Sequence, residues 1–209
     1  MMQHDKNILS KDDKNTIHHF TALAEQFGQD VRTLNWGSRE SQHKRFAVLA
    51  EIGDLNQKKI LDVGCGLGDF YAWLQANNID TDFHGIDITP KLIEMASKRF
   101  PNISFESGQL HTSSTLSNPF DFVFASGIFY LRQEDPVLFM QSMIQKMFEL
   151  CTHGIAFNSL SSWSKDKAEN EFYADPIALL NFCKQLTTQV VLRHDYHPRD
   201  FTMYLYKTS

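Results

Sequence analysis

Ile60-Leu61-Asp62-Val63-Gly64-Cys65-Gly66-Leu67-Gly68-Asp69-Phe70 decides the fold: an apolar run breaks at three alternating glycines, and a helical pattern starts directly after them. The run before the glycines has the length and content of a buried strand, so the break is the first βα turn of a parallel sheet covered on both faces. Glycine reaches positive φ at no steric cost and lets a ligand lie directly against the backbone, which a Cβ would prevent. Open α/β sheets hold their ligands outside the carboxyl ends of the strands, where strand order reverses. The turn and the fold thus point to one crevice.

Outward from the turn, short apolar runs alternate with helical patterns: KILDV, FYAWLQAN, DFHGIDI, PKLIEMASKRF, ISFES and FDFVFAS. The series continues with a helix from about Pro136 to Leu150, a strand over Gly154–Ser159 and a helix over Pro176–Gln185. Two last strands, near Gln189–His194 and Phe201–Lys207, are joined by DYHPRD, which is too short for a crossover helix, so they form an antiparallel hairpin. Upstream, His18–Gly28 and Glu40–Ile52 read as two short helices. The whole chain, 1–209, is expected to be one domain, with residues 1–16 flexible, 17–53 a helical flap and 59–209 the core. The polar insertion Ser161–Ala174 is a lid or an ordinary surface loop.

Composition agrees with a single α/β domain, since 42% hydrophobic residues against 22% charged in 209 residues suffice for one core. A net charge of −5 without a basic run excludes a surface built to neutralise phosphates, so nucleic acid is not the expected partner. Cys65, Cys151 and Cys183 show no CxxC spacing; no metal site and no disulfide framework follow, and a reducing cytoplasm is expected. No apolar stretch approaches the roughly 20 residues that span a bilayer, and no membrane association is expected.

The ligand class follows from the turn's details. A dinucleotide fingerprint, GxGxxG, needs its third glycine where this chain has Asp69. Asp62 and Asp69 would also repel a pyrophosphate, whereas S-adenosylmethionine carries a sulfonium and an ammonium and no phosphate. Asp87 ends the neighbouring strand in His84-Gly85-Ile86-Asp87-Ile88, where a carboxylate can accept both ribose hydroxyls.

ILDVGCGLG, HGIDI, ISFESGQL and FDFVFASGIF resemble motif I, post-I, the segment after strand three and motif IV of class I S-adenosylmethionine-dependent methyltransferases. The resemblance spans roughly residues 59–160. It implies a Rossmann-like, seven-stranded, mostly parallel sheet of order 3-2-1-4-5-7-6, with the last strand antiparallel and helices on both faces. It implies S-adenosylmethionine as cofactor, S-adenosylhomocysteine as product and an acceptor methylated by in-line transfer. The cofactor-binding roles fall on Asp62, Gly64, Cys65, Gly66 and Gly68 at the turn, Asp87 at the ribose, Ile88 at the adenine, and Ser126 and Gly127 at the methionine end, with Leu110 a further cofactor-binding candidate. Cys65 enters as a small packed thiol, not as a nucleophile. Where the family often has an Asp for the adenine amino group this chain has Gln109, whose amide oxygen can accept the same bond.

Trp36 and Arg45 are read as a cover and a carboxylate partner for the cofactor, or as a tryptophan staple and its neighbour. Tyr130, Arg132 and Asn158 are acceptor-site candidates, each with a local structural reading beside it. Ala125-Ser126-Gly127-Ile128 lacks the Asn/Asp-Pro-Pro-aromatic signature of nucleobase and glutamine methyltransferases, which directs the reading to a small-molecule acceptor. A narrower likeness of Leu34–Gln42 and Arg193–Tyr196 to small bacterial methyltransferases names no acceptor. Catalytic residues and oligomeric state are left open; the rival readings are a non-catalytic S-adenosylmethionine-binding module and an NAD-dependent oxidoreductase.

Overall fold

The computed structural model describes residues 9–113, 116 and 119–208. Its strands are β1 (Lys58–Val63), β2 (Thr81–Asp87), β3 (Ser104–Ser107), β4 (Phe120–Ala125), β5 (Cys151–Leu160), β6 (Val190–Arg193) and β7 (Asp200–Tyr206). They form one sheet ordered β3-β2-β1-β4-β5-β7-β6. β1 to β5 pair in parallel, and β7 is antiparallel to both β5 and β6. Order and reversal are those the resemblance implies.

The helices are α1 (Lys11–Phe27), α2 (Arg39–Ala50), α3 (Asp69–Ala76), α4 (Pro90–Arg99), α5 (Pro136–Leu150) and α6 (Pro176–Leu186), with a 3-10 turn over Val31–Leu34. Side-chain alternation along the strands divides the core. Leu61, Val63, Val123, Ala125, Ile155 and Phe157 face α5 and α6 on one side. Ile60, Phe122, Phe124, Ala156 and Tyr204 join Phe46 and Leu49 of α2 and Phe70 and Leu74 of α3 on the other. Burying each of the larger aliphatic and Phe side chains contributes about 1.5–3 kcal/mol, so the period of two in these strands sets their register. α5 and α6 start at Asp135-Pro136 and Asp175-Pro176: each Asp accepts backbone N–H bonds, and each Pro takes the first helical position, where no donor is needed.

Most boundaries shift by one to three residues, β5 starting at Cys151 and not at Gly154, and the largest departure from the sequence reading is at the N-terminus. α1 begins at Lys11 and not at His18, so residues 11–16 are helical where flexibility was expected; residues 1–8 lie outside the described residues. The cause is a capping box: the Asp13 N–H donates to Ser10 Oγ (3.0 Å) and the Ser10 N–H donates to Asp13 Oδ2 (2.8 Å). Ser10-Lys11-Asp12-Asp13 carries that signature in plain sequence, although the residues that follow are polar.

Candidate active site

The carboxyl ends of β1, β2, β4 and β5 open into two adjoining cavities of about 350 and 570 Å³. Both volumes fall in the range of small-molecule sites, roughly 300–1,000 Å³. The smaller one lies over β1 and β2 and includes Gly64, Asp87, Ile88, Gln109 and Leu110. The larger lies over β4 and β5 and includes Arg45, Tyr130, Asn158, His197 and Asp200. Leu34, Trp36, Gly127 and Leu131 belong to both linings, so these four residues form the partition.

The glycine turn is built as its sequence demands, with Gly64, Gly66 and Gly68 at φ values of 73°, 53° and 74°. Their neighbours differ. Of the three only Gly64 faces the first cavity; a Cβ there would come within 2.2 Å of Ile128. A Cβ on Gly66 would meet the Leu34 side chain at 2.7 Å, and one on Gly68 would meet Phe105 at 3.0 Å. Gly66 therefore admits the N-terminal segment onto the turn, and Gly68 admits the aromatic packing beneath it. Cys65 is buried beside Gly85, where a Cβ would stand 2.8 Å from its sulfur, and burial pushes the thiol well above its ordinary range. That is the packed thiol the sequence suggests.

Asp87 is buried, not solvated as a residue at a crevice mouth would be. Its Oδ2 accepts the Gly66 N–H (3.0 Å) and its Oδ1 the Thr89 N–H (2.8 Å). Burial raises its pKa, and the two N–H bonds oppose that rise. A carboxylate has about four acceptor positions, so beyond the two N–H bonds and the Thr89 hydroxyl beside it, acceptor capacity is left for a ligand hydroxyl. Asp62 lies beneath the turn and lines neither cavity; burial, with the charges of Asp87 and Asp69 adding to it, pushes its carboxyl up to about 8. Asp69 is held by Arg99 Nη1 at 2.6 Å and by the Gln42 amide at 3.0 Å, which anchors α3 to α4 and α2.

Ser126 and Gly127 follow β4 in the first cavity, and Asn158 holds them there. The Gly127 N–H donates to Asn158 Oδ1 (2.9 Å), and Asn158 Nδ2 donates to Ser126 Oγ (3.0 Å). Gly127 has φ 71°, and a Cβ on it would stand 2.8 Å from the Trp36 ring, so the missing side chain lets the indole rest on the turn. Arg45 lies over that indole at 5.0 Å, and its other face of contact is a buried ion pair with Asp200. The structure thus places Arg45 in the second cavity, bound to β7. Tyr130 lines the same cavity; its hydroxyl accepts a bond from Asn35 Nδ2 (2.6 Å), and burial keeps the phenol protonated up to about 12. Arg132 lines neither cavity and donates to the Glu169 carbonyl at 2.8 Å.

That bond is one of several that dock the 161–174 insertion. The Phe172 N–H donates to the Tyr130 carbonyl (2.8 Å), and Arg199 Nη2 holds Glu171 at 2.7 Å. Asn170 and Glu171 form part of the wall of the second cavity. His197 also lines it, with Nδ1 2.8 Å from Asp200 Oδ2; burial lowers its pKa, Arg45 adds to the fall, and Asp200 works against it.

The sequence reading missed the contribution of α1. Asp12, Asp13, Thr16 and Phe20 line the first cavity. Asp13 Oδ2 accepts from Gln109 Nε2 at 2.7 Å, and Asp12 Oδ2 accepts from the Glu134 N–H at 2.9 Å. Contacts across such sequence separations leave no local signal; the capping box alone could have extended the helix this far. Among the described residues no helix is long and apolar enough to cross a membrane, and no cluster of ligating side chains could hold a metal ion.

Residues 60–152 match the family described as "Methyltransferase domain". Rv1506c of Mycobacterium tuberculosis, whose name places it among the methyltransferases, is 30% identical over 157 residues, covering 72% of this chain and 93% of its own. The magnesium protoporphyrin IX methyltransferase of Synechocystis PCC 6803, solved with S-adenosylmethionine, superposes with a TM-score of 0.69 at 13% identity over 97% of this chain and 100% of that one. The N-methyltransferase NodS of Bradyrhizobium japonicum WM9, solved with S-adenosylhomocysteine, gives 0.62 at 16% identity over 91% and 99%. The two solved structures share the fold, and the mycobacterial relative carries the sequence likeness through nearly its whole length. This chain belongs to the class I S-adenosylmethionine-dependent methyltransferases.

Proposed function

We propose that the chain transfers a methyl group from S-adenosylmethionine, held in the first cavity, to a small-molecule acceptor held in the second. The observation that carries this reading is the pair of cavities meeting at Leu34, Trp36, Gly127 and Leu131. The first fits the cofactor: Gly64, Ser126 and Gly127 line it at the strand ends, Asp87 keeps acceptor capacity, and Gln109 has an amide oxygen to offer. In this assignment Asp87 holds the ribose, Ile88 and Leu110 flank the adenine, and Gly64, Ser126 and Gly127 receive the methionine end. The cofactor supplies an electrophilic methyl on a sulfonium. What the protein has to add is alignment and exclusion of water.

The second cavity suits a neutral, hydrogen-bonding acceptor. Its arginines are already charge-compensated, Arg45 by Asp200 and Arg199 by Glu171, so the cavity has no uncompensated cation to attract an ionic acceptor. Tyr130, protonated through the neutral range, can donate to such an acceptor. His197, whose pKa burial lowers, lines the same cavity as the imidazole placed to receive a proton from it. The relatives with this fold include enzymes named for a porphyrin and for N-methylation, which agrees with small acceptors of varied chemistry.

The test is incubation with methyl-labelled S-adenosylmethionine and a pool of metabolites below about 1 kDa. Label transferred to a low-mass product, with stoichiometric S-adenosylhomocysteine, is the expected result. Cofactor binding without turnover would favour a non-catalytic binding module, and label on protein or nucleic acid would refute the small-molecule acceptor.

A further inference from the structure

Gln109 is a two-faced side chain: one end of its amide donates and the other accepts, and the two ends are nearly the same size. Left alone in a cavity it could turn either face to a purine. In this structure its orientation is imposed from outside the Rossmann-like core. Asp13 Oδ2 stands 2.7 Å from the amide, and a carboxylate has no hydrogen to donate, so the face turned to Asp13 must be the NH2 group. The amide oxygen is then the end left over for the cavity that Gln109 lines with Asp87 and Leu110. Asp13 is itself fixed. The same Oδ2 accepts the Ser10 N–H at 2.8 Å, and the neighbouring Asp12 accepts the Glu134 N–H at 2.9 Å, which ties the start of α1 to the segments after β3 and β4.

We propose that Asp13 is a specificity-determining positioning residue: by holding the Gln109 amide it makes the cofactor cavity accept a 6-aminopurine and reject a 6-oxopurine. This rests on the cofactor assignment above and adds to it a residue on a different element, far from the motifs. A 6-amino group donates and meets the amide oxygen. A 6-oxo group accepts, and with the amide locked it would face that oxygen with no donor between them, the situation in which a polar site discriminates strongly.

The experiment is calorimetric titration of the full chain with S-adenosylhomocysteine and with its 6-oxo counterpart, S-inosylhomocysteine. The parent protein is expected to prefer the adenosyl ligand by about thirtyfold or more. Asp13→Ala should bring the two affinities to within about threefold, because the released amide can turn its NH2 group to the 6-oxo ring. Simple fraying of α1 would weaken both ligands together and leave their ratio standing. The double variant Asp13→Ala with Gln109→Glu separates the cases further: a carboxylate accepts whichever way it turns, so the adenosyl preference should return. A parent protein that binds the adenosyl ligand without preference, an Asp13→Ala variant that keeps the full ratio, or a double variant that fails to restore it overturns the proposal. A parent that binds neither ligand overturns the cofactor assignment and this proposal together.

Discussion

Asp87 shows how one side chain carries both local structure and ligand chemistry. Its two backbone bonds tie the glycine turn to the start of α4, and its remaining acceptor positions are those assigned to the ribose. Asp87→Ala should weaken S-adenosylhomocysteine binding by at least about tenfold, since charge-assisted bonds contribute roughly 1.5–3 kcal/mol each and about 1.4 kcal/mol is a decade. Its stability should change less than its affinity: two N–H groups lose a partner, but a buried carboxylate whose pKa is raised by burial is removed at the same time. Asp87→Asn, with one acceptor oxygen and no charge, should fall between. Calorimetry alongside thermal melting checks both halves, and an unchanged affinity would remove the ribose contact. Gly64→Ala tests the turn itself. A non-glycine residue at φ 73° costs about 1–2 kcal/mol, and the new methyl would push Ile128 into the cavity. Lower stability in denaturant and weaker cofactor binding are both expected; parental stability would mean the turn is wound differently.

At the scale of elements, α1 decides how far the first cavity is closed. Its apolar contacts with the core are few, with Ala24 its buried residue, so its start depends on the Ser10–Asp13 box. Ser10→Ala should cost about 1 kcal/mol of local stability. The readout is hydrogen exchange: faster exchange in the first turns of α1, unchanged exchange in β1, β4 and β5, and a loss of cofactor affinity that follows the fraying. Unaltered exchange in α1 would show that its docking through Asp12 and Asp13, not the cap, sets its order. α2 is tied differently, through the buried Arg45–Asp200 pair to β7 and through Gln42 to Asp69. The two N-terminal helices thus do separate work, α1 over the cofactor cavity and α2 on the sheet and the partition.

For the whole molecule, three carboxylates lie around one turn, and Asp62 bears the consequence. Its folded-state pKa of about 8 stands above the ordinary carboxylate value of about 4, so between those limits the folded chain binds more protons than the unfolded one. Its contribution is therefore fully present at low pH and is lost as pH rises through 8. Asp62→Asn should flatten that part of the stability–pH curve and leave the variant more stable than the parent at the alkaline end; denaturant melts at intervals across the window check the sign, and a parental slope in the variant would place the titration elsewhere. Much of this molecule was legible in its sequence. Alternating apolar runs, a GxGxG turn and the link DYHPRD determine a parallel sheet with an antiparallel end, because side-chain periodicity and loop length are local properties. The placement of Asp87, Gly64, Gln109 and Gly127 at the crevice was legible for the same reason: each ends or closely follows a strand, and strand ends define the crevice. Only the tertiary structure decided that Asp62 is buried beneath the turn, that Gly66 receives Leu34, that Arg45 belongs to Asp200 in the second cavity, and that Asp13 grips Gln109. Each of those facts is a contact between residues far apart in the chain, set by how the N-terminal helices fold back over the sheet, and pairings of that kind leave no periodicity to read.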